Sequence, residues 1–99
     1  MSLEITSFKP LDKNTLRGFV TVRMNNIGLE IRDIAIQEKN GQRWLNMPSR
    51  SYTNKDGKQS YAYVLDFFEE EKKELFQKEV LRMLDGGGYG YKKTSYNPT

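Results

Sequence analysis

Between Leu29 and Gln37 the apolar residues change sides. Leu29 and Ile31 share one parity, and Ile34 and Ile36 share the other. Strand side chains alternate between faces, so a regular strand cannot put all four residues on one side. Either a bulge lies near Arg32–Asp33, or both faces are covered, in which case a second layer is needed. Asn40-Gly41 follows, a pair suited to a type I′ hairpin turn, and Gln42–Met47 returns as the next strand. This stretch therefore demands an antiparallel sheet.

The flanking segments extend that sheet. Leu3–Phe8 alternates weakly, and Pro10, Asp12 and Asn14 are expected to break it. Thr15–Met24 alternates most clearly. Leu16, Val20, Val22 and Met24 share a core-facing side, opposite Arg17, Phe19, Thr21 and Arg23. Asn25–Gly28 reads as a turn. Residues 48–59 are polar and contain Asn-Lys-Asp-Gly, so a long mobile loop is expected there. Ser60–Leu65 reads as a fifth strand.

A helix is expected from an Asp66 cap, with Glu69 in capping-box position, to about Leu84. Phe68, Leu75, Phe76, Val80, Met83 and Leu84 fall on one arc that would cover one sheet face. Gly86-Gly87-Gly88 ends it. The expected fold is α+β: an antiparallel sheet of four to five strands with one C-terminal helix on one face. Residues 1–85 form a single domain, and residues 86–99 form a Gly/Tyr/Lys tail expected to be disordered.

The chain lacks Cys and His, which excludes disulfides, thiol nucleophiles and imidazole chemistry. No metal set is expected, because the acids sit mostly on the helix, where Glu69, Glu70, Glu71 and Glu74 suit the N-terminal dipole. Ser49 and Ser51 have no imidazole to activate them. Gly86–Gly90 follows a helix, whereas a phosphate-binding loop precedes one. No catalytic residues and no cofactor are expected, so an enzyme is a poor hypothesis. No apolar run approaches the ~20 residues of a membrane-spanning helix. The N-terminal Met-Ser-Leu-Glu-Ile resembles no signal peptide, and a cytoplasmic location is expected.

The net charge of +3 is modest, and its distribution says more. Lys39–Lys58 holds five bases against one acid, Asp56, whereas Phe67–Asp85 holds six acids against four bases. Basic side chains interleaved with aromatics suit phosphate contact combined with base stacking. The candidate nucleic-acid contacts are Arg17, Phe19, Arg23, Arg32, Arg43, Trp44, Arg50, Tyr52, Lys55 and Lys58. Tyr89, Tyr91, Lys92 and Lys93 are candidate tail contacts. Tyr61 and Tyr63 suit packing better than stacking. Trp44 fits a base-stacking surface, and also the core or a dimer interface.

Leu16-Arg-Gly-Phe-Val-Thr-Val22, Leu29-Glu-Ile-Arg-Asp-Ile-Ala-Ile36, Asn40-Gly41 and Met47-Pro-Ser-Arg50 together resemble the SpoVG septation-protein family. In that family an Arg-Asp or His-Asp pair lies within an apolar strand. An Asn-Gly hairpin follows, and then a strand ending in Met-Pro-Ser-Lys/Arg. The resemblance spans about residues 3–84. It implies a small sheet with a C-terminal helix, a homodimer formed through the sheet, and sequence-tolerant DNA and RNA binding in bacterial regulation. The order of sheet and helix is also similar to the single-stranded-DNA-binding coactivator family called positive cofactor four. Sequence-tolerant binding of DNA or RNA, favouring single strands, is the expected function. The alternative is a protein-interaction module that dimerises through sheet edges.

Overall fold

A computed structural model describes residues 2–91. Six strands precede one helix: β1 (Leu3–Lys13), β2 (Leu16–Met24), β3 (Leu29–Lys39), β4 (Gln42–Asn46), β5 (Ser49–Thr53), β6 (Gln59–Tyr63) and α1 (Glu70–Gly86). Strands β1-β2-β3-β4 form an antiparallel meander, and β5 and β6 form a separate two-stranded sheet. The α+β class expected from the sequence is therefore present, with the strands divided between two sheets.

The change of parity in β3 is a bulge. Val20 pairs with Ile34 and Val22 with Ile31, so Arg32 and Asp33 together oppose Thr21. Asp33 takes a left-handed conformation, φ 60°. Asp tolerates this region better than most residues because it has a short polar side chain. The extra residue brings Ile31, Ile34 and Ile36 to the same face, and all three are buried. The β3–β4 turn is as expected: Asn40 and Gly41 both have positive φ, 53° and 81°.

That face carries the core. Ile5, Val20, Val22, Leu45 and Met47 join the three isoleucines, and Phe76, Val80 and Leu84 of α1 cover them. The Leu45 backbone N–H donates to Gln77 Oε1 at 2.9 Å, fixing the helix against β4. Phe67 packs on Phe76 with ring centroids 5.1 Å apart.

Four expectations are corrected. First, β1 does not stop at Phe8. It continues through Pro10, which pairs with Gly18. Because β1 is a sheet edge, a residue without an N–H donor is tolerated there. The Phe8 ring lies directly over Gly18, where a Cβ would meet Phe8 Cζ at 2.6 Å. The lack of a side chain at Gly18 thus makes room for Phe8.

Second, residues 48–59 are not a loop. Ser49–Thr53 pairs with Gln59–Tyr63 across the Asn54–Gly57 turn. Asn54 Oδ1 accepts the backbone N–H groups of Asp56 and Lys58, each at 3.0 Å. This Asx arrangement closes the turn locally. Third, residues 59–63 belong to this second sheet and do not add a fifth strand to the first. The Val64 N–H donates to the Pro48 carbonyl at 2.9 Å, joining the two ends of the hairpin where it leaves the body. The β5–β6 hairpin is thus a projecting arm.

Fourth, the helix starts later than expected. Its N-cap is Glu69, which makes no side-chain capping bond, while Asp66 Oδ1 accepts the Phe67 N–H instead. Phe68 (96% exposed) thus precedes the helix, and Leu75 (60%) falls on the side of α1 away from the buried Phe76, Val80 and Leu84. At the other end, Gly86 is the last helical residue. Tyr89 and Tyr91 pack against the core, so the described start of the tail is docked. Residues 92–99 of the expected disordered tail, with Lys92 and Lys93, lie outside the described residues.

Candidate functional site

The helix covers one face of the four-stranded sheet, and the other face is open. Alternation places Phe19, Thr21 and Arg23 of β2, Glu30, Ala35 and Gln37 of β3, and Trp44 and Asn46 of β4 on this open side. The arm rises beside it. Between them lies a groove of about 1000 Å³. Leu16, Phe19, Ala35, Gln37 and Asn46 line its sheet side, and Tyr61, Ala62 and Tyr63 line its arm side. The Asn46 Nδ2 group donates to Tyr63 Oη at 3.0 Å, fixing the base of the arm to the sheet.

Tyr61 and Tyr63 do not pack in the core as expected. They are 70% and 51% exposed. Their alternation in the sequence builds one face of a two-stranded arm rather than a layer of the main sheet. The groove-lining roles of Leu16, Ala35, Gln37 and Asn46 carry no sequence signal, because they depend on where the arm lies.

The expected cations among the described residues fall into four groups. Arg17 is held in the β1–β2 turn. Its Nη1 donates to the Asn14 carbonyl at 2.9 Å and meets Asp12 Oδ1 at 3.2 Å. Arg43 lies on the helix-covered face, so the structure separates it from the open side. It forms a two-pronged pair with Asp85, Nη1–Oδ1 at 2.8 Å and Nη2–Oδ2 at 2.9 Å. The hydrogen bond to Asp85 is the main cause that raises the Arg43 pKa. Its guanidinium also sits over the Tyr91 ring, 5.7 Å from the centroid.

Arg23 and Arg32 lie on the open face and share one acid. Arg23 Nε donates to Glu30 Oε1 at 2.9 Å, and Arg32 Nε donates to Glu30 Oε2 at 2.8 Å. The bond from Arg23, then that from Arg32, holds the Glu30 carboxyl below its ordinary range. The same pair raises the Arg23 pKa. Glu30 was not among the sequence candidates, although its position between two arginines was a usable signal.

Arg50, Lys55 and Lys58 lie on the arm, and none of the ion pairs among the described residues involves them. Tyr52 is 48% exposed and shares an arm face with Arg50. Trp44 stands on the open side of edge strand β4, about a third exposed.

Tyr89 and Tyr91 are placed away from the groove. Tyr91 Oη donates to Glu38 Oε1 at 3.0 Å, and its ring meets Phe8 at 5.6 Å. Glu38 is 2% exposed, on the helix side of β3. Burial is the main cause that pushes the Tyr91 hydroxyl pKa up.

Among the described residues, no cluster of acidic side chains could hold a metal ion, and no helix is long and apolar enough to cross a membrane. Compared with known proteins, the chain matches no protein-family model, no curated protein and no solved structure.

Proposed function

We propose that the chain is a non-enzymatic, cytoplasmic nucleic-acid-binding module with a regulatory role. It binds DNA or RNA with little sequence preference and favours single strands. The supporting observation is the aromatic-lined groove between the open sheet face and the arm, together with the cations that the same arm carries and that join no ion pair among the described residues. Phe19, Tyr61 and Tyr63 line the groove, and Arg50, Lys55 and Lys58 lie on the same arm. Unpaired bases present flat faces to such rings, and phosphates suit cations that no protein carboxylate already holds. The resemblance to the SpoVG family points the same way.

Fluorescence anisotropy of labelled single-stranded DNA, duplex DNA and RNA tests this reading at low and moderate salt. Binding at low salt that weakens with added salt, tightest for single strands, is expected. No binding at low salt would overturn it.

A second reading is a protein-interaction module that dimerises through sheet edges. It is favoured by the edge position of β4 and by an arm whose β5 residues are all exposed. A two-stranded hairpin alone is marginally stable in water, so a partner strand would strengthen it. Sedimentation analysis without nucleic acid distinguishes the readings. A stable dimer that binds no oligonucleotide would favour the second.

A further inference from the structure

The two arginines on the open face converge on a single carboxylate. Arg23 reaches Glu30 from the neighbouring strand, where the two residues are direct cross-strand partners. Arg32 reaches it from two positions along β3, on the same side of the sheet and just before the bulge. Each guanidinium takes a different oxygen of Glu30 through its Nε atom. The arrangement is a cradle for an oxyanion, filled by a side chain of the protein itself. The arginine side chains remain 55% and 77% exposed, so an incoming anion can reach them. Exposed pairs of this kind are weak and exchange at little cost.

We propose that Arg23 and Arg32 form a phosphodiester subsite and that Glu30 is its internal competitor. This inference rests on the nucleic-acid reading above. A backbone phosphate presents two anionic oxygens to the two guanidiniums, as the Glu30 carboxylate does, and displaces it. Asp33, which follows Arg32, lines the groove, so the subsite continues the same open face. Glu4, opposite Arg23 on β1, adds a second negative charge beside the cradle. Glu30 holds the arginines in a receptive geometry while lowering the affinity they would otherwise supply. It thereby sets the strength and salt dependence of binding without touching a base.

Glu30→Gln tests this, with Glu71→Gln on the helix as a control for the same change in net charge. With a labelled single-stranded oligonucleotide, Glu30→Gln should tighten binding about 3- to 10-fold at low salt and steepen the salt dependence by the equivalent of about one to two phosphates. Adding Arg23→Gln and Arg32→Gln should abolish the gain. A gain no larger than that of Glu71→Gln would overturn the proposal. Inorganic phosphate provides a separate readout by ¹⁵N NMR of the arginine Nε groups. In Glu30→Gln the Arg23 and Arg32 signals should move together as phosphate is added, and the absence of movement would overturn the subsite. Joint movement with phosphate, but no oligonucleotide binding by any variant, would support the oxyanion cradle and overturn both its assignment to phosphodiesters and the nucleic-acid reading.

Discussion

Arg43 and Asp85, 42 residues apart in sequence, face each other through two parallel hydrogen bonds of 2.8 and 2.9 Å. The pair ties β4 to the last turns of α1. The Arg43 side chain is only 14% exposed, so its loss removes a two-pronged, partly shielded charge-assisted pair. Arg43→Ala should cost about 1–2 kcal/mol of stability, lowering the melting temperature by roughly 5–15 °C. Thermal unfolding followed by circular dichroism checks this. The same variant should leave the salt dependence of oligonucleotide binding unchanged.

The arm cations should behave in the opposite way. Replacing Arg50, Lys55 and Lys58 together by Gln touches no ion pair among the described residues, so the melting temperature should stay within a few degrees. Oligonucleotide binding should weaken, and the slope of log affinity against log salt should flatten by about 2, at roughly 0.7–0.9 for each phosphate no longer neutralised. Anisotropy titrations at several salt concentrations measure it. An unchanged slope would remove the arm from the binding surface.

Tyr91 adds a pH dependence at the alkaline end. Burial raises its pKa above the ordinary value of 10.0, so the folded state retains the hydroxyl proton to higher pH than the unfolded chain. Its contribution to stability is therefore complete below pH 10 and declines as pH rises through the folded-state pKa. Tyr91→Phe keeps the ring over Phe8 and Arg43 but removes the titration. Urea unfolding between pH 9 and about 11 should show a shallower loss of stability for the variant than for the parent. At neutral pH the variant should be less stable by about 1–3 kcal/mol, because the buried Glu38 loses its donor.

The bulge makes a prediction of its own. At φ 60°, Asp33 occupies a region that β-branched side chains avoid. Asp33→Val should cost about 1–2 kcal/mol, whereas Asp33→Gly should be close to neutral or mildly stabilising. Chemical denaturation of the two variants compares them directly. Equal stability would mean that the left-handed conformation is not retained in solution.

Period-2 patterning made β2, β3 and the β3–β4 turn legible, because each has one face pressed into the core. It also narrowed the change of parity to a bulge near Arg32–Asp33 or burial of both faces, and the bulge is the one present. The arm was not legible as strands. Its β5 residues are all exposed, so no burial pattern marks them, and its turn and backbone ladder hold it together. Pro10 misled because its cost depends on whether a strand lies at an edge, which is a property of the whole sheet. Among the candidate cations, sequence showed charge but not pairing. Arg43 and Arg50 look alike in the chain, yet only Arg43 meets an acid brought up by the helix. Phe68 precedes the first turn, and Leu75 lies at the far edge of the arc, away from the narrower buried stripe of Phe76, Val80 and Leu84.

The Val64–Pro48 hydrogen bond has a consequence for how this chain can vary. It brings the two ends of the arm side by side, so the body sees the arm as an insertion at one point. The Asn54 turn bonds and the strand pairing lie inside that insertion. Residues can be added to or trimmed from its tip in matched pairs without shifting the register of β1–β4. The arm that carries Arg50, Lys55 and Lys58 is thus also the part of the molecule that can change in length while the core stays as it is.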